Sequence, residues 1–147
     1  MEKLIKVIQV EEGWRSEPYR CSEGYPTIGY GFKLAAKDAP LPKFELPKGA
    51  GDLWLKTLLN ESIDCLNDYI WFTNLNEARQ AIIISMVHQM GLFGFQKFKK
   101  MIKALEVYDY DGATTEMLDS RWARQTPARA KRHAEQLEFG YWLPVYS

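Results

Sequence analysis

The stretch that most restricts how this chain can fold runs from Glu11 to Gly31. It reads as the end of a helix, a strand, a tight turn and a second strand. Upstream, Leu4, Val7 and Ile8 hold the i, i+3, i+4 spacing of an amphipathic helix over residues 2–12. Gly13 follows directly and is a helix stop signal. Trp14 to Cys21 then predicts a first strand, and Ser22-Glu23-Gly24 supplies turn chemistry, with Gly24 free to take a positive φ. Tyr25, Thr27, Ile28 and Tyr30 suit a second strand. Gly29 and Gly31 bracket Tyr30, and glycine in a strand marks a bulge or the close approach of another group.

Such a hairpin sets Cys21 and Thr27 on opposite sides of one turn. If the first strand starts beside the helix end, Glu12 faces both. On the last helical turn Glu12 meets the negative end of the helix dipole. That field and partial burial both act to raise its pKa, which is the direction a general acid requires near neutral pH. Taken alone, Glu12 reads as a solvated surface glutamate, and Thr27 as an ordinary strand threonine.

Three further features carry the argument beyond the hairpin. Eight residues separate Glu12 from Cys21 and five separate Cys21 from Thr27. A second block reads Met86-Val87-His88-Gln89-Met90-Gly91. A third, Ser120-Arg121-Trp122-Ala123-Arg124-Gln125-Thr126-Pro127-Ala128-Arg129-Ala130-Lys131, is the most specific. In this order, and over residues 5–142, the chain resembles the phage lysozymes of glycoside hydrolase family 24. Those enzymes carry a Glu/Asp-or-Cys/Thr triad at this spacing.

The resemblance implies an α+β, lysozyme-like two-lobed fold in a single domain. Residues 13–52 would form a small β-containing lobe. Residues 71–147, with the N-terminal helix 2–12, would form a helical lobe, and residues 53–70 the connecting helix. It implies a muramidase that cuts the β-1,4 bond between N-acetylmuramic acid and N-acetylglucosamine. Glu12 would be the general acid, Thr27 would orient the attacking water, and Arg129 would be the arginine that lies against the glutamate across the cleft. An adjacent cation would lower the Glu12 pKa and oppose burial. His88 and Gln89 would line the cleft from the helical lobe, and Tyr25 and Tyr30 are candidates for touching substrate. Cys21 stands where many members have aspartate. A thiol is mostly protonated near pH 7 unless its site shifts it, so it supplies less negative charge than aspartate.

Other chemistries stay open at this point. A lytic transglycosylase would use the same glutamate without water, though Thr27 then has nothing to orient. A peptidoglycan-binding domain with a dead site would fit if Cys21 marks decay. A thiol hydrolase would need Cys21 and His88 in contact.

The remainder of the chain is consistent with an ordinary globular domain. It has 147 residues, enough for a real core. Lys plus Arg balance Asp plus Glu at 19 each, which argues against a nucleic-acid binder. Two histidines without clustered cysteines argue against a zinc site, and no cofactor is expected. Two cysteines do not make a disulfide framework, and Cys65, inside a helical pattern, is expected to be a small buried apolar residue.

No apolar run is long enough to span a membrane, and the N-terminus lacks a signal-peptide pattern. Together with these, the resemblance implies a monomer made in a host bacterial cytoplasm. It would be released through a holin to act on the wall in the periplasm, as an endolysin does.

Prolines at 40, 42 and 47 with Gly49-Ala50-Gly51 predict an irregular segment over residues 35–52, a surface loop or the rim of a cleft. Asp52 is the expected N-cap of the helix that follows. Asn74 or Asn76 would cap the next helix. In it Ala81 to Val87 is apolar apart from Ser85, the pattern of a buried central helix ended by Gly91. Short helices are expected over 98–105 and 110–118, and another starting at Thr126-Pro127. Trp122 and Trp142 read as packing residues. His133, in a run with five basic residues and no acid from 120 to 133, reads as exposed.

Overall fold

The computed structural model describes every residue from Met1 to Ser147. The fold is α+β: eight α-helices and a three-stranded antiparallel sheet in the order β1-β2-β3. It divides into two compact units, Met1–Leu58 and Leu59–Ser147.

In the first unit, α1 (Glu2–Glu12) buries the predicted stripe of Leu4, Val7 and Ile8. Val7 and Ile8 are completely closed to solvent, a burial that stabilises by about 1.5–3 kcal/mol for each such side chain. Gly13 ends the helix at φ 66°, with its N–H donated to the Gln9 carbonyl at 3.0 Å. β1 (Arg15–Arg20) pairs antiparallel with β2 (Pro26–Gly29), and its register shifts between Arg15 and Tyr19. Pro18 lies in that irregularity and in an edge strand, where a missing N–H costs no ladder bond. The turn closes with Gly24 N–H donated to the Cys21 carbonyl at 2.9 Å, Gly24 taking φ 89°.

A third strand, β3 (Phe32–Lys33), was not expected from the sequence. Two glycines at positive φ, Gly29 (66°) and Gly31 (77°), turn the chain back so that Ile28 pairs with Phe32 and Thr27 with Lys33.

Residues 34–47 carry no helix or strand, as the prolines predict. The following helix corrects two expectations. α2 spans Lys48–Leu66, so it takes in Gly49 and Gly51 and ends before residue 70. Asp52 is not its cap but sits within it, bonded to Tyr30 and Lys48. Gly51 is tolerated inside the helix because the Trp14 ring lies against it. A Cβ there would come within 2.4 Å of that ring.

The second unit is built around α4 (Glu77–Phe95), whose Ala81–Val87 segment is wholly buried. Asn76 caps it by accepting from Arg79 N–H at 2.9 Å. Gly91, at φ 80° and ψ 159°, interrupts it. Short helices α3 (Ile70–Thr73), α5 (Lys99–Glu106), α6 (Tyr110–Leu118) and α7 (Arg121–Gln125) surround it with α8 (Pro127–Phe139) and a closing 3-10 turn, Pro144–Tyr146. Pro127 starts α8 as expected. Thr126 does not cap it through its side chain, because its hydroxyl is donated to the Trp122 carbonyl at 2.9 Å.

Two side chains lie where the sequence reading did not put them. Cys65 is exposed, one position off the stripe that buries Leu59 and Leu66. His133 is fully buried. Its neighbours in sequence are basic, but on α8 it shares a face with Arg129, Ala130 and Leu137, which point inward. No helix is long and apolar enough to cross a membrane.

Candidate active site

The sheet register determines which hairpin side chains stand together. Tyr19 is opposite Thr27, and Thr27 is opposite Lys33. Residues paired across strands share a face, so the three form one row. Cys21 and Tyr25 lie two positions from Tyr19 and Thr27 respectively, the spacing that keeps a side chain on the same face of a strand. Lys33 Nζ sits 4.2 Å from the centre of the half-buried Tyr25 ring.

Glu12 joins this group from the helix end. Its carboxylate rests on the backbone of Gly31: a Cβ at that residue would be 2.6 Å from Oε2 and 2.8 Å from the carboxyl carbon. The close approach signalled by the glycine spacing is therefore the approach of Glu12. The Glu12 charge is also felt at Tyr19, whose hydroxyl pKa is raised first by burial, then by Glu12, with Cys21 adding to it against Arg15.

Cys21 is partly exposed, and its thiol is free. Burial acts to raise its pKa. The backbone N–H groups of Glu23 and Tyr25, the Thr27 hydroxyl and the Lys33 ammonium act the other way and prevail, so the thiol lies below its ordinary value. The turn thus favours the anionic form of the Cys21 thiol. Thr27, only 3 % exposed, donates its hydroxyl to the Tyr25 carbonyl at 2.8 Å. A hydroxyl has one proton. Donated to Tyr25, it leaves oxygen lone pairs for an incoming donor. Turned toward Cys21, it supports the thiolate.

Tyr30 is not a surface residue. It is 2 % exposed, and its hydroxyl is held by Asp52 Oδ1 at 2.8 Å and Lys48 Nζ at 2.7 Å. Its place is structural support beneath the turn.

The remaining candidates belong to the second unit. His88 and Gln89 are half-buried on α4. Gln89 Oε1 accepts the Trp122 indole N–H at 2.8 Å, which fixes both side chains. Arg129 is 7 % exposed and donates to Ser85 Oγ at 2.9 Å. Ser85 Oγ is also 2.8 Å from His133 Nε2, and His133 Nδ1 is 3.2 Å from the Tyr146 hydroxyl. Burial, then Arg129 and Arg132, keep His133 well below its usual pKa, so this buried network holds a neutral imidazole.

Sequence reasoning missed Tyr19, Lys33 and the Ser85–His133–Tyr146 series. Lys33 was invisible without β3. The sole advance signal for Ser85 was its lone polarity in an apolar helix. No group of three or more His, Cys, Asp or Glu side chains is placed to hold a metal ion.

The α+β fold, helical with a small three-stranded antiparallel sheet, is that expected of a lysozyme-type glycoside hydrolase. The comparisons with known proteins agree. The phage lysozyme family model matches residues 9–136. "Probable T4-type lysozyme 1" of Dictyostelium discoideum is 29 % identical over 95 % of this chain and 96 % of its own length. "Probable T4-type lysozyme 2" of the same organism is 25 % identical over the same shares. The "Pre-baseplate central spike protein Gp5" of Enterobacteria phage T4 is 30 % identical over 88 % of this chain, which corresponds to 26 % of that longer protein. The chain belongs to the phage lysozyme family, and it is a muramidase-type peptidoglycan hydrolase.

Proposed function

We propose that the chain hydrolyses the β-1,4 bond between N-acetylmuramic acid and N-acetylglucosamine by inversion, with Glu12 as general acid and a water activated by Cys21 and Thr27. The observation that carries this reading is the Glu12 carboxylate against Gly31, in the same unit as a thiol whose surroundings favour its anion. Protonated Glu12 gives its proton to the leaving oxygen as the bond to the anomeric carbon breaks. The water oxygen attacks that carbon from the other face. One O–H of the water is hydrogen-bonded to the Thr27 oxygen, which orients it, and stays on the new anomeric hydroxyl; the other proton passes to the Cys21 thiolate.

The first test is mass spectrometry of fragments released from purified peptidoglycan, with Glu12→Gln as control. Reducing muramic acid ends that vanish in the variant are expected. Anhydro-muramic ends would make the protein a lytic transglycosylase, and no fragments from either protein would make it a binding domain.

The biological role we assign is that of an endolysin: a monomer held in a bacterial cytoplasm until a holin-type lesion admits it to the wall. Expression alone should leave cells intact, and a permeabilising agent should then lyse them. The likeness to a central spike protein favours a second role, as a wall-cutting module of a larger assembly. Recovery of the chain in purified particles, not in the soluble lysate, would select that role.

A further inference from the structure

We propose that Tyr30 is a positioning residue for Glu12, held in place by a clamp of Lys48 and Asp52. The proposal rests on the reading of Glu12 as general acid. Its basis is the turn against which Glu12 packs. That turn is Gly29-Tyr30-Gly31, with both glycines at positive φ. Glycine leaves a backbone with little restraint of its own, so Tyr30 is the one side chain by which the turn can be anchored. The Glu12 carboxylate lies on Gly31, the next residue along.

Tyr30 is anchored from three directions. Lys48 has only protons to give, so its ammonium donates to the Tyr30 oxygen at 2.7 Å. The Tyr30 hydroxyl then donates to Asp52 Oδ1 at 2.8 Å. Lys48 and Asp52 close the triangle at 3.3 Å, one turn apart on α2. The ring is covered by Trp14, at a centroid distance of 4.9 Å, and by Phe32 at 6.1 Å. Gln9, three residues before Glu12, reaches the same hydroxyl at 3.5 Å, and Trp14 lies two residues after Glu12. Tyr30 therefore touches the chain on both sides of the acid and carries the turn beneath it. The bonds also leave their mark on the partners: Tyr30 is the first cause that lowers Asp52 and raises Lys48 from their usual pKa values.

The test compares wild type with Tyr30→Phe, Lys48→Met, Asp52→Ala and Asp52→Asn on purified peptidoglycan, following kcat, KM, the pH profile of kcat and thermal midpoints. Tyr30→Phe keeps the ring and removes only the hydroxyl. Its kcat should fall by about tenfold, as misplacement of a catalytic group does. KM should stay near wild type, and the basic limb of the kcat profile, which reports the general acid, should move. Asp52→Asn retains an acceptor and should keep more kcat than Asp52→Ala. Lys48 and Asp52 side chains are 57 % and 47 % exposed, so those variants should fold even if Tyr30→Phe does not. Lower thermal midpoints with unchanged kcat, KM and basic limb would overturn the proposal and leave the clamp a stabilising feature. A rise confined to KM would also overturn it. Glu12→Gln, assayed alongside, separates the two ideas. If it stays active, the general-acid reading fails. If it is dead while Tyr30→Phe is unimpaired, only the positioning role fails.

Discussion

Ser85 and His133 are joined Oγ to Nε2 at 2.8 Å, and Arg129 shares that serine oxygen. The guanidinium can only donate, and it donates to Ser85 Oγ at 2.9 Å. A hydroxyl oxygen keeps a second lone pair and a proton, so Ser85 also exchanges a hydrogen bond with His133 Nε2, while His133 Nδ1 lies 3.2 Å from the Tyr146 oxygen. The ring at the centre of this network is held neutral by its surroundings. Burial first, then Arg129 and Arg132, depress its pKa well below the usual value. The unfolded chain binds that proton more readily than the folded one near and below the ordinary value of about 6.5. Stability due to His133 is therefore fully present above that pH and is lost as pH falls toward the folded value. The slope cannot exceed about 1.4 kcal/mol per pH unit for one proton. Thermal midpoints of wild type should fall on acidification, and those of His133→Gln, lower at neutral pH, should fall less steeply. Parallel curves would show that His133 is not the group responsible.

Gly31→Ala should cost activity more than stability. The backbone there has φ 77°, and a side chain in that region costs about 1–2 kcal/mol. The larger effect is local, since the new methyl would stand 2.6 Å from Glu12 Oε2 and displace the carboxylate. A shift of about 1 Å in a catalytic group can cost about a hundredfold in rate. Gly24→Ala is the control: it has φ 89°, its nearest neighbour is Asp38 Oδ1 at 3.1 Å, and it does not touch Glu12. Equal losses of kcat in the two variants would mean that backbone strain alone, not contact with the acid, explains the effect.

Cys21 should react with iodoacetamide at a pH where an ordinary thiol is still slow. The expectation follows from the N–H groups of Glu23 and Tyr25, the Thr27 hydroxyl and Lys33, which outweigh burial and lower the thiol pKa. Cys65, exposed on α2, is the built-in comparison when each cysteine is retained singly. Lys33→Met should move the Cys21 reactivity curve to higher pH. Cys21→Asp should keep hydrolase activity, because it restores an anion, whereas Cys21→Ser, a neutral hydroxyl, should lose most of it. An active serine variant would remove thiolate charge from the mechanism.

Much of this site was legible because local chemistry and spacing agree. Gly13, Gly24 and the Gly29/Gly31 pair each sit at positive φ, and that need is what placed the helix end and the turns. The apolar run from Ala81 to Val87 is buried as its pattern requires. The misses share a cause: they depend on partners distant in sequence. β3 is two residues long and exists through pairing with β2, too short to show a period of its own. Asp52 looked like a cap because its side chain suits one, but Tyr30, 22 residues earlier, claims it. His133 seemed exposed because its sequence neighbours are charged, whereas burial on a helix follows the face and not the neighbourhood.

Arg79 offers a test of the second unit's closure that is independent of catalysis. Its guanidinium donates to the Leu137 carbonyl at 2.6 Å and the Glu138 carbonyl at 2.7 Å, satisfying orphan acceptors at the end of α8. It also lies 3.8 Å over the Tyr110 ring. Gly140 must follow there: it takes φ 73°, its carbonyl accepts from Asn76 at 2.9 Å, and a Cβ on it would be 2.8 Å from Arg79 Cζ. Lysine cannot reproduce a planar fork that serves two carbonyls and stacks on a ring. Arg79→Lys should cost about 1–3 kcal/mol, lowering the midpoint by about 2–4 °C for each kcal/mol in a domain of this size. Gly140→Ala should be destabilising by strain and by collision with the guanidinium. The collision disappears when the guanidinium does, so Gly140→Ala should cost less in the Arg79→Lys background than in wild type. Additive losses in that double-mutant cycle would mean that Gly140 is required for its backbone conformation alone, and that Arg79 does not dictate it.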